Sequence, residues 1–169
     1  MSHLDVPPPL GVLIVATGLA RDPERAQCAD DHLDTLIASA ALLGADPIIV
    51  VHDGSPRIAA PARGYRLPRS ERDDLSAMRL GLMQFTNAPV GAALILPIES
   101  HALDPQLLRG MITEATRRGV PLAAGAQQGT LGFPLYAIRD LWRELMTTDG
   151  GLAGVLRALG PRVLALEIE

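Results

Sequence analysis

Three short apolar runs, separated by longer segments with helical spacing, constrain the fold more than any other feature of this chain. They are residues 11–17 (GVLIVAT), 47–52 (PIIVVH) and 91–98 (GAALILPI). Runs of this length that are apolar throughout are typical of parallel strands covered by helices on both faces. The alternation of such strands with helices predicts an α/β fold, a single three-layer Rossmann-like domain with a mainly parallel sheet.

Helical spacing and cap residues predict where the helices lie. Apolar residues recur at helical spacing over residues 33–43, and Asp30 or Asp31 is the candidate N-cap of that helix. An Asp-Pro pair at residues 104–105 predicts a helix start, and that helix should end near residue 118. The remaining predictions are helices at 75–85, 138–146 and 150–159, and strands at 120–124, 133–138 and 162–168.

Composition narrows the class of protein. The 169 residues suit one domain, 1–169, in which we expect the polar and then proline-rich residues 1–10 to be a flexible N-terminal segment. A net charge of -4 gives no general attraction for nucleic acid or an anionic membrane. No apolar run approaches the roughly 20 residues of a membrane helix, and the single Cys28 excludes an intrachain disulfide. We therefore expect a cytoplasmic protein with neither nucleic acid nor membrane as a partner.

The strand ends indicate where a ligand would bind, because parallel sheets bind ligands at the carboxyl ends of their strands. That rule selects the loop after Thr17, the turn at Asp53 and the segment 97–101. Gly18 suits either a phosphate-binding loop or an ordinary strand-to-helix turn. Glu99 and His101 suit either a metal pair or a solvated pair of loop residues.

The pieces, taken in order, resemble the MobA-like nucleotidyltransferases, the molybdopterin guanylyl- and cytidylyltransferase family. The resemblance covers residues 11–168. It is carried by the helix start 76–82 (SAMRLGL), the strand 94–99 (LILPIE), the turn 132–134 (GFP) and the helix start 149–151 (DGG), while the loop 15–27 (VATGLARDPERAQ) takes the place of the family's opening phosphate-binding loop.

The resemblance implies an activity and a set of residues for it. A nucleoside monophosphate from GTP or CTP would be transferred to a phosphorylated acceptor, in the family a molybdopterin, and Mg²⁺ would assist. The nucleotide would be held by Ala16, Thr17, Gly18, Asp53 and Ser76, the last of which also suits a helix cap. Arg21 and Arg25 would be the catalytic cations, and Glu99 would be the metal ligand.

The departures from the family pattern are equally informative. All 15 basic residues are arginine, so the lysine that the family uses for a nucleotide phosphate is absent. Asp22, Glu24 and Gln27 stand where the family loop has arginine, glycine and lysine, and acidic residues there repel a triphosphate. Glu99 replaces an aspartate, and the family's second acidic ligand has only Glu167 or Glu169 as counterparts.

These departures predict a nucleotidyltransferase-like protein, a candidate pseudoenzyme, whose catalysis is impaired or lost. Two alternatives stay open: a fully active Mg²⁺-dependent enzyme, and a non-catalytic binding module or partner subunit. A protein partner or a homo-oligomer is compatible with either. The arginine-containing segment 57–72 suits a solvated loop or recognition of a phosphorylated ligand.

Overall fold

The computed structural model describes residues 6–70, 73–148 and 151–168, and a seven-stranded sheet forms its centre. The strands are β1 (Leu10–Ala16), β2 (Ile48–His52), β3 (Arg63–Arg66), β4 (Ala92–Pro97), β5 (Leu122–Gln127), β6 (Thr130–Ile138) and β7 (Val163–Glu167). Among the described residues their order in the sheet is β3-β2-β1-β4-β6-β5-β7, and β6 is antiparallel to both neighbours while the other pairs are parallel. The predicted α/β domain with a mainly parallel sheet is therefore confirmed.

Helices cover both faces of the sheet and create two apolar cores. Alternate residues of β1 point to opposite faces, so Val12 and Ile14 pack in one core, while Leu13 and Val15 pack in the other. The helices are α1 (Pro23–Leu42), α2 (Asp74–Gln84), α3 (Pro105–Arg118), α4 (Trp142–Thr147) and α5 (Gly151–Leu159). The core with Val12 and Ile14 includes residues of α1 and α3, and the core with Leu13 and Val15 includes residues of α2, α4 and α5.

The start of α1 differs from the prediction, and the start of α3 agrees with it. Helix α1 begins at Pro23, so Asp22, and neither Asp30 nor Asp31, is its N-cap. Apolar periodicity is visible only where the helix packs on the sheet, and the exposed first turns of α1 carry no such signal. Helix α3 begins at Pro105 after an Asp104 cap, as predicted.

The chain between β5 and β7 forms a hairpin and short helices. A two-residue turn, Gln128 and Gly129, joins β5 to β6, and both residues have positive φ. The predicted helix 138–146 is a 3₁₀ turn, Arg139–Leu141, followed by α4. The family-like helix start at Asp149 and Gly150 lies outside the described residues.

The N-terminal stretch is attached to the sheet. The carbonyl oxygen of Pro9 accepts hydrogen bonds from Gly91 N at 2.9 Å and Ala92 N at 3.3 Å. Strand β1 begins at Leu10, so residues 9 and 10 of the predicted flexible segment are ordered against β4. None of the described helices is both long and apolar enough to cross a membrane.

Candidate functional site

The predicted site residues gather at the edge where the parallel strands end. Thr17 and Gly18 follow β1, Asp53 follows β2, and Glu99 lies in a 3₁₀ turn, Ile98–Ala102, directly after β4. Because β1 pairs with both β2 and β4, the three segments are neighbours. This edge is where ligands bind in open α/β sheets.

The loop after β1 is held by a buried carboxylate. Asp53 is 1% exposed, and its two carboxylate oxygens accept hydrogen bonds from Gly18 N at 2.8 Å and Leu19 N at 2.9 Å. Gly18 has a φ of 82°, a conformation that favours glycine. Two backbone N–H groups of the loop that could bind a phosphate are therefore already bound to Asp53. Ala16, the last residue of β1, is fully buried.

A second carboxylate occupies the N-terminus of α1. Asp22 accepts hydrogen bonds from Glu24 N at 3.1 Å and Arg25 N at 3.2 Å. A helix N-terminus attracts anions because its first N–H groups have no partner within the helix. Here the chain's own aspartate binds two of them, so this anion site too is filled internally.

Arg25 is the predicted catalytic arginine that turns inward. Its guanidinium forms an ion pair with Glu99, and its Nη1 lies 3.4 Å from the position that a Cβ on Gly18 would take. The side chains of Arg25 and Glu99 are 33% and 56% exposed. The predicted cation and the predicted metal ligand therefore neutralise each other.

The other loop positions do not contribute a cation to the same point. Arg21 is exposed in the turn before α1, and no interaction of its side chain is seen among the described residues. Gln27, the sequence counterpart of the family lysine, is exposed on α1. The cation that reaches the loop is Arg25. It lies two residues before Gln27, the position at which the resembled family has its lysine.

Ser76 lies at the start of α2 but does not cap it. Asp73 is the N-cap, accepting from Ser76 N at 2.8 Å and from Ser76 Oγ at 2.9 Å. The backbone N–H of Ser76 is the main reason that the pKa of Asp73 lies below its usual value. Thr17 Oγ1 donates a hydrogen bond to Asp74, the first residue of α2. This contact ties the loop after β1 to α2.

The described residues do not form a preorganised metal site. No group of three or more histidine, cysteine, aspartate or glutamate side chains among them is placed to hold an ion. His101 stacks on His32 of α1, with ring centroids 3.5 Å apart and planes 9° from parallel. Its Nδ1 lies 3.2 Å from the carbonyl oxygen of Ile98. Glu99 and His101 therefore each have a partner on α1.

Next to Glu99 a cleft of about 590 Å³ opens between β4 and the β5–β6 hairpin. Sequence reasoning identified Glu99 and the GFP segment on its walls but did not select Gln127 or Thr130. The hairpin turn at Gln128-Gly129 was the available signal, because it brings the end of β5 and the start of β6 to the carboxyl edge.

Comparisons with known proteins identify the fold. No family model matches the chain, and no curated protein matches it. Among solved structures, Rv0371c of Mycobacterium tuberculosis is 17% identical with a TM-score of 0.73, covering 96% of this chain and 89% of that one. A manganese complex of Rv0371c aligns with a TM-score of 0.67 at 16% identity, covering 95% and 88% of the two chains.

Two nucleotidyltransferases align over similar lengths. A nucleotidyl transferase from Methanothermobacter is 17% identical, with a TM-score of 0.68 and coverage of 95% and 87%. The 2-C-methyl-D-erythritol 4-phosphate cytidylyltransferase of Thermus thermophilus is 16% identical, with a TM-score of 0.68 and coverage of 95% and 89%. The chain thus shares its Rossmann-like α/β fold with these structures.

Proposed function

We propose that this protein is a nucleotidyltransferase-like protein, resembling the molybdenum-cofactor guanylyl- and cytidylyltransferases, in which catalysis is impaired or lost. The observation that carries the proposal is that the buried carboxylate of Asp53 accepts hydrogen bonds from the backbone N–H groups of Gly18 and Leu19. A nucleotide phosphate needs such converging N–H groups at this loop.

Displacing Asp53 is costly. Its carboxylate is 1% exposed, and a buried carboxylate that loses its hydrogen bonds costs more than the about 1–3 kcal/mol of a neutral group. A phosphate brought beside it adds repulsion between like charges. By comparison, the exposed pair of Arg25 and Glu99 costs only about 0–1 kcal/mol to open. The obstacle to nucleotide binding is therefore Asp53, with a smaller contribution from the Arg25–Glu99 pair.

Metal binding is weakened by the same arrangement. Mg²⁺ prefers hard oxygen ligands, commonly one or two carboxylates with substrate phosphate and water. Glu99 is the carboxylate at this point, and Arg25 pairs with it. Since the described residues contain no group of three or more metal-ligating side chains placed together, they do not fit a preformed Mg²⁺ site.

The alternative is an active Mg²⁺-dependent enzyme that moves a nucleoside monophosphate from GTP or CTP to a phosphorylated small molecule. The position of Arg25 over Gly18 favours it. A guanidinium there can bind phosphate oxygens with two N–H groups, which a lysine cannot do in the same geometry. In this alternative Arg25 would leave Glu99 for the phosphate. We propose the cytoplasm as the location in either case.

Thermal unfolding with GTP, CTP and ATP, each with and without Mg²⁺ or Mn²⁺, separates the two functions. A ligand at 100 times its dissociation constant stabilises the folded state by about 2.7 kcal/mol, which raises the midpoint of a domain of this size by roughly 5–10 °C. We expect no metal-dependent rise with any nucleotide, and no release of pyrophosphate above background.

Three variants make the result specific. Arg25→Ala and Glu99→Gln change the predicted cation and metal ligand, and Arg157→Ala, an exposed arginine of α5, is the matched control. A metal-dependent rise with one nucleotide, accompanied by release of pyrophosphate, would establish the active enzyme and refute impaired catalysis if both site variants abolish the two effects and Arg157→Ala retains them.

A further inference from the structure

An irregularity in the sheet builds the cleft beside Glu99. Ala124 pairs with Leu135, but the next residue, Gly125, pairs with Gly132, so β6 contains two residues with no partner in β5. These are Phe133 and Pro134, and both line the cleft. β-Bulges often lie beside functional sites because they redirect side chains.

Gly125 allows β5 to approach β6 closely at this bulge. A Cβ on Gly125 would lie 2.7 Å from the carbonyl oxygen of Phe133 and 2.6 Å from Cδ1 of Ile168. Only a residue without a side chain fits at such distances. The floor of the cleft is therefore made by close contact of β5, β6 and the end of β7. Its volume of about 590 Å³ is within the about 300–1,000 Å³ of small-molecule sites.

The walls of the cleft combine apolar surface with uncharged polar groups. Glu99 is the one charged side chain among the described residues that line it, and Arg25 neutralises that charge from α1. A phosphate or carboxylate entering the cleft would lose water without meeting a cation, which is unfavourable. The polar residues on the walls are Ser100, Gln127 and Thr130, and the large apolar residues are Leu103, Leu131, Phe133, Pro134 and Ile168.

We propose that this cleft binds an uncharged organic molecule with an apolar body and hydroxyl or amide groups. Phe133 and Leu131 would contact the apolar body, and Gln127 and Thr130 would exchange hydrogen bonds with its polar groups. The ligand class differs from the phosphorylated acceptor that the family resemblance implies. The proposal goes beyond the proposed function and does not depend on it, because the cleft needs no nucleotide.

Three probes with the same body and different charge test the ligand class. The probes are 2-phenylethanol, 2-phenylethylamine and 2-phenylethyl phosphate, each titrated into the ¹⁵N-labelled protein in the absence of nucleotide. The readout is the shift of the backbone amide signals of Gln127, Thr130 and Gly132. We expect the alcohol to bind at least about 10-fold more tightly than the phosphate ester, because a phosphate would find no partner for its charge.

Gly132→Leu tests the place of binding. Nothing lies within 4 Å of a Cβ built on Gly132, so a leucine there fills part of the cleft without a clash and should abolish binding of the alcohol. Gly110→Leu is the matched control, because Gly110 is an exposed glycine of α3 that also has no neighbour within 4 Å. It should bind the alcohol as the unmodified protein does.

Glu99→Gln tests the charge argument. It releases Arg25 at the rim of the cleft, so affinity for the phosphate ester should rise by about 2- to 5-fold, the range expected for an exposed ion pair. The proposal is overturned if the phosphate ester binds the unmodified protein best, if none of the probes shifts these amides, or if Gly132→Leu binds the alcohol unchanged.

Discussion

At the scale of single residues, Asp53 is the side chain on which the loop after β1 depends. Both of its oxygens accept from backbone N–H groups, at 2.8 and 2.9 Å, in a buried setting. In Asp53→Asn, one oxygen becomes an NH₂ group that faces an N–H donor, and the charge that strengthens both bonds is lost. We expect the free energy of unfolding to fall by about 2–3 kcal/mol, measured by urea unfolding followed through Trp142 fluorescence.

Asp140→Asn is the control for this substitution. Asp140 is exposed and forms no hydrogen bond with the described residues, so its change should stay within about 0.5 kcal/mol. Equal effects of the two substitutions would show that Asp53 does not hold the loop.

The sequence located the site residues better than it assigned their roles. The expectation that Thr17, Asp53 and Glu99 meet at the carboxyl edge follows from strand order and agrees with the structure. The roles depend on partners far along the chain: Gly18 and Asp53 are 35 residues apart, and Arg25 and Glu99 meet only because α1 packs on the turn after β4. No local pattern encodes such pairings.

At the scale of secondary-structure elements, α2 lies close to β1 because of Gly81. A Cβ on Gly81 would lie 2.2 Å from Cδ1 and 2.4 Å from Cδ2 of Leu13, which is fully buried. Gly81→Ala therefore overpacks the core, at about 1–3 kcal/mol, which exceeds the about 1 kcal/mol gained from helix propensity. We expect a net loss of about 1 kcal/mol in the free energy of unfolding.

Gly110→Ala in α3 is the same glycine-to-alanine change at a helix position with open space around it, so we expect the opposite effect on stability. A Cβ on Gly110 meets nothing within 4 Å, so helix propensity acts alone and should stabilise the protein by up to about 1 kcal/mol. Urea unfolding of both variants measures the difference. If Gly81→Ala were as stabilising as Gly110→Ala, the close packing of α2 on β1 would be refuted.

Element boundaries show which sequence signals are strong. The Asp-Pro start of α3 is chemically explicit, since aspartate caps and proline suits the first turn, and it was predicted correctly. The start of α1 was placed too late because its exposed first turns lack apolar periodicity. The bulge of β6 was not predicted. Phe133 and Pro134 differ from their neighbours in β6 only in having no partner in β5, and this is a property of the paired strands.

At the scale of the whole molecule, titratable groups in distant elements share one direction of pH dependence. Burial is the main cause of the lowered pKa of His52, and burial together with the neighbouring His101 lowers the pKa of His32. Hydrogen bonds from Arg117 and Arg118 lower the pKa of Glu114 to about 2. A group whose pKa is lower in the folded state binds protons more readily when the chain is unfolded, so acid favours unfolding.

The tyrosine of β6 has the opposite shift. Burial raises the pKa of Tyr136 above its usual value of 10.0, so its contribution to stability is present below that value and is lost as the pH rises through the folded-state pKa. Histidine effects begin as the pH falls below the usual value of 6.5, and carboxylate effects follow below 4.5. Stability should therefore be greatest between about pH 7 and 9.

Urea unfolding at intervals between about pH 4 and 10, followed through the buried Trp142, measures this profile. We expect the free energy of unfolding to decline as the pH falls through the histidine range.

His52→Gln should make that decline shallower, because a neutral amide keeps the hydrogen-bonding capacity of His52 without its titration. The control is Glu144→Gln, at an exposed carboxylate of α4, which should leave the decline in the histidine range unchanged. A protein more stable at pH 5 than at pH 8 would contradict the assigned shifts, since all of the lowered pKa values require the reverse order.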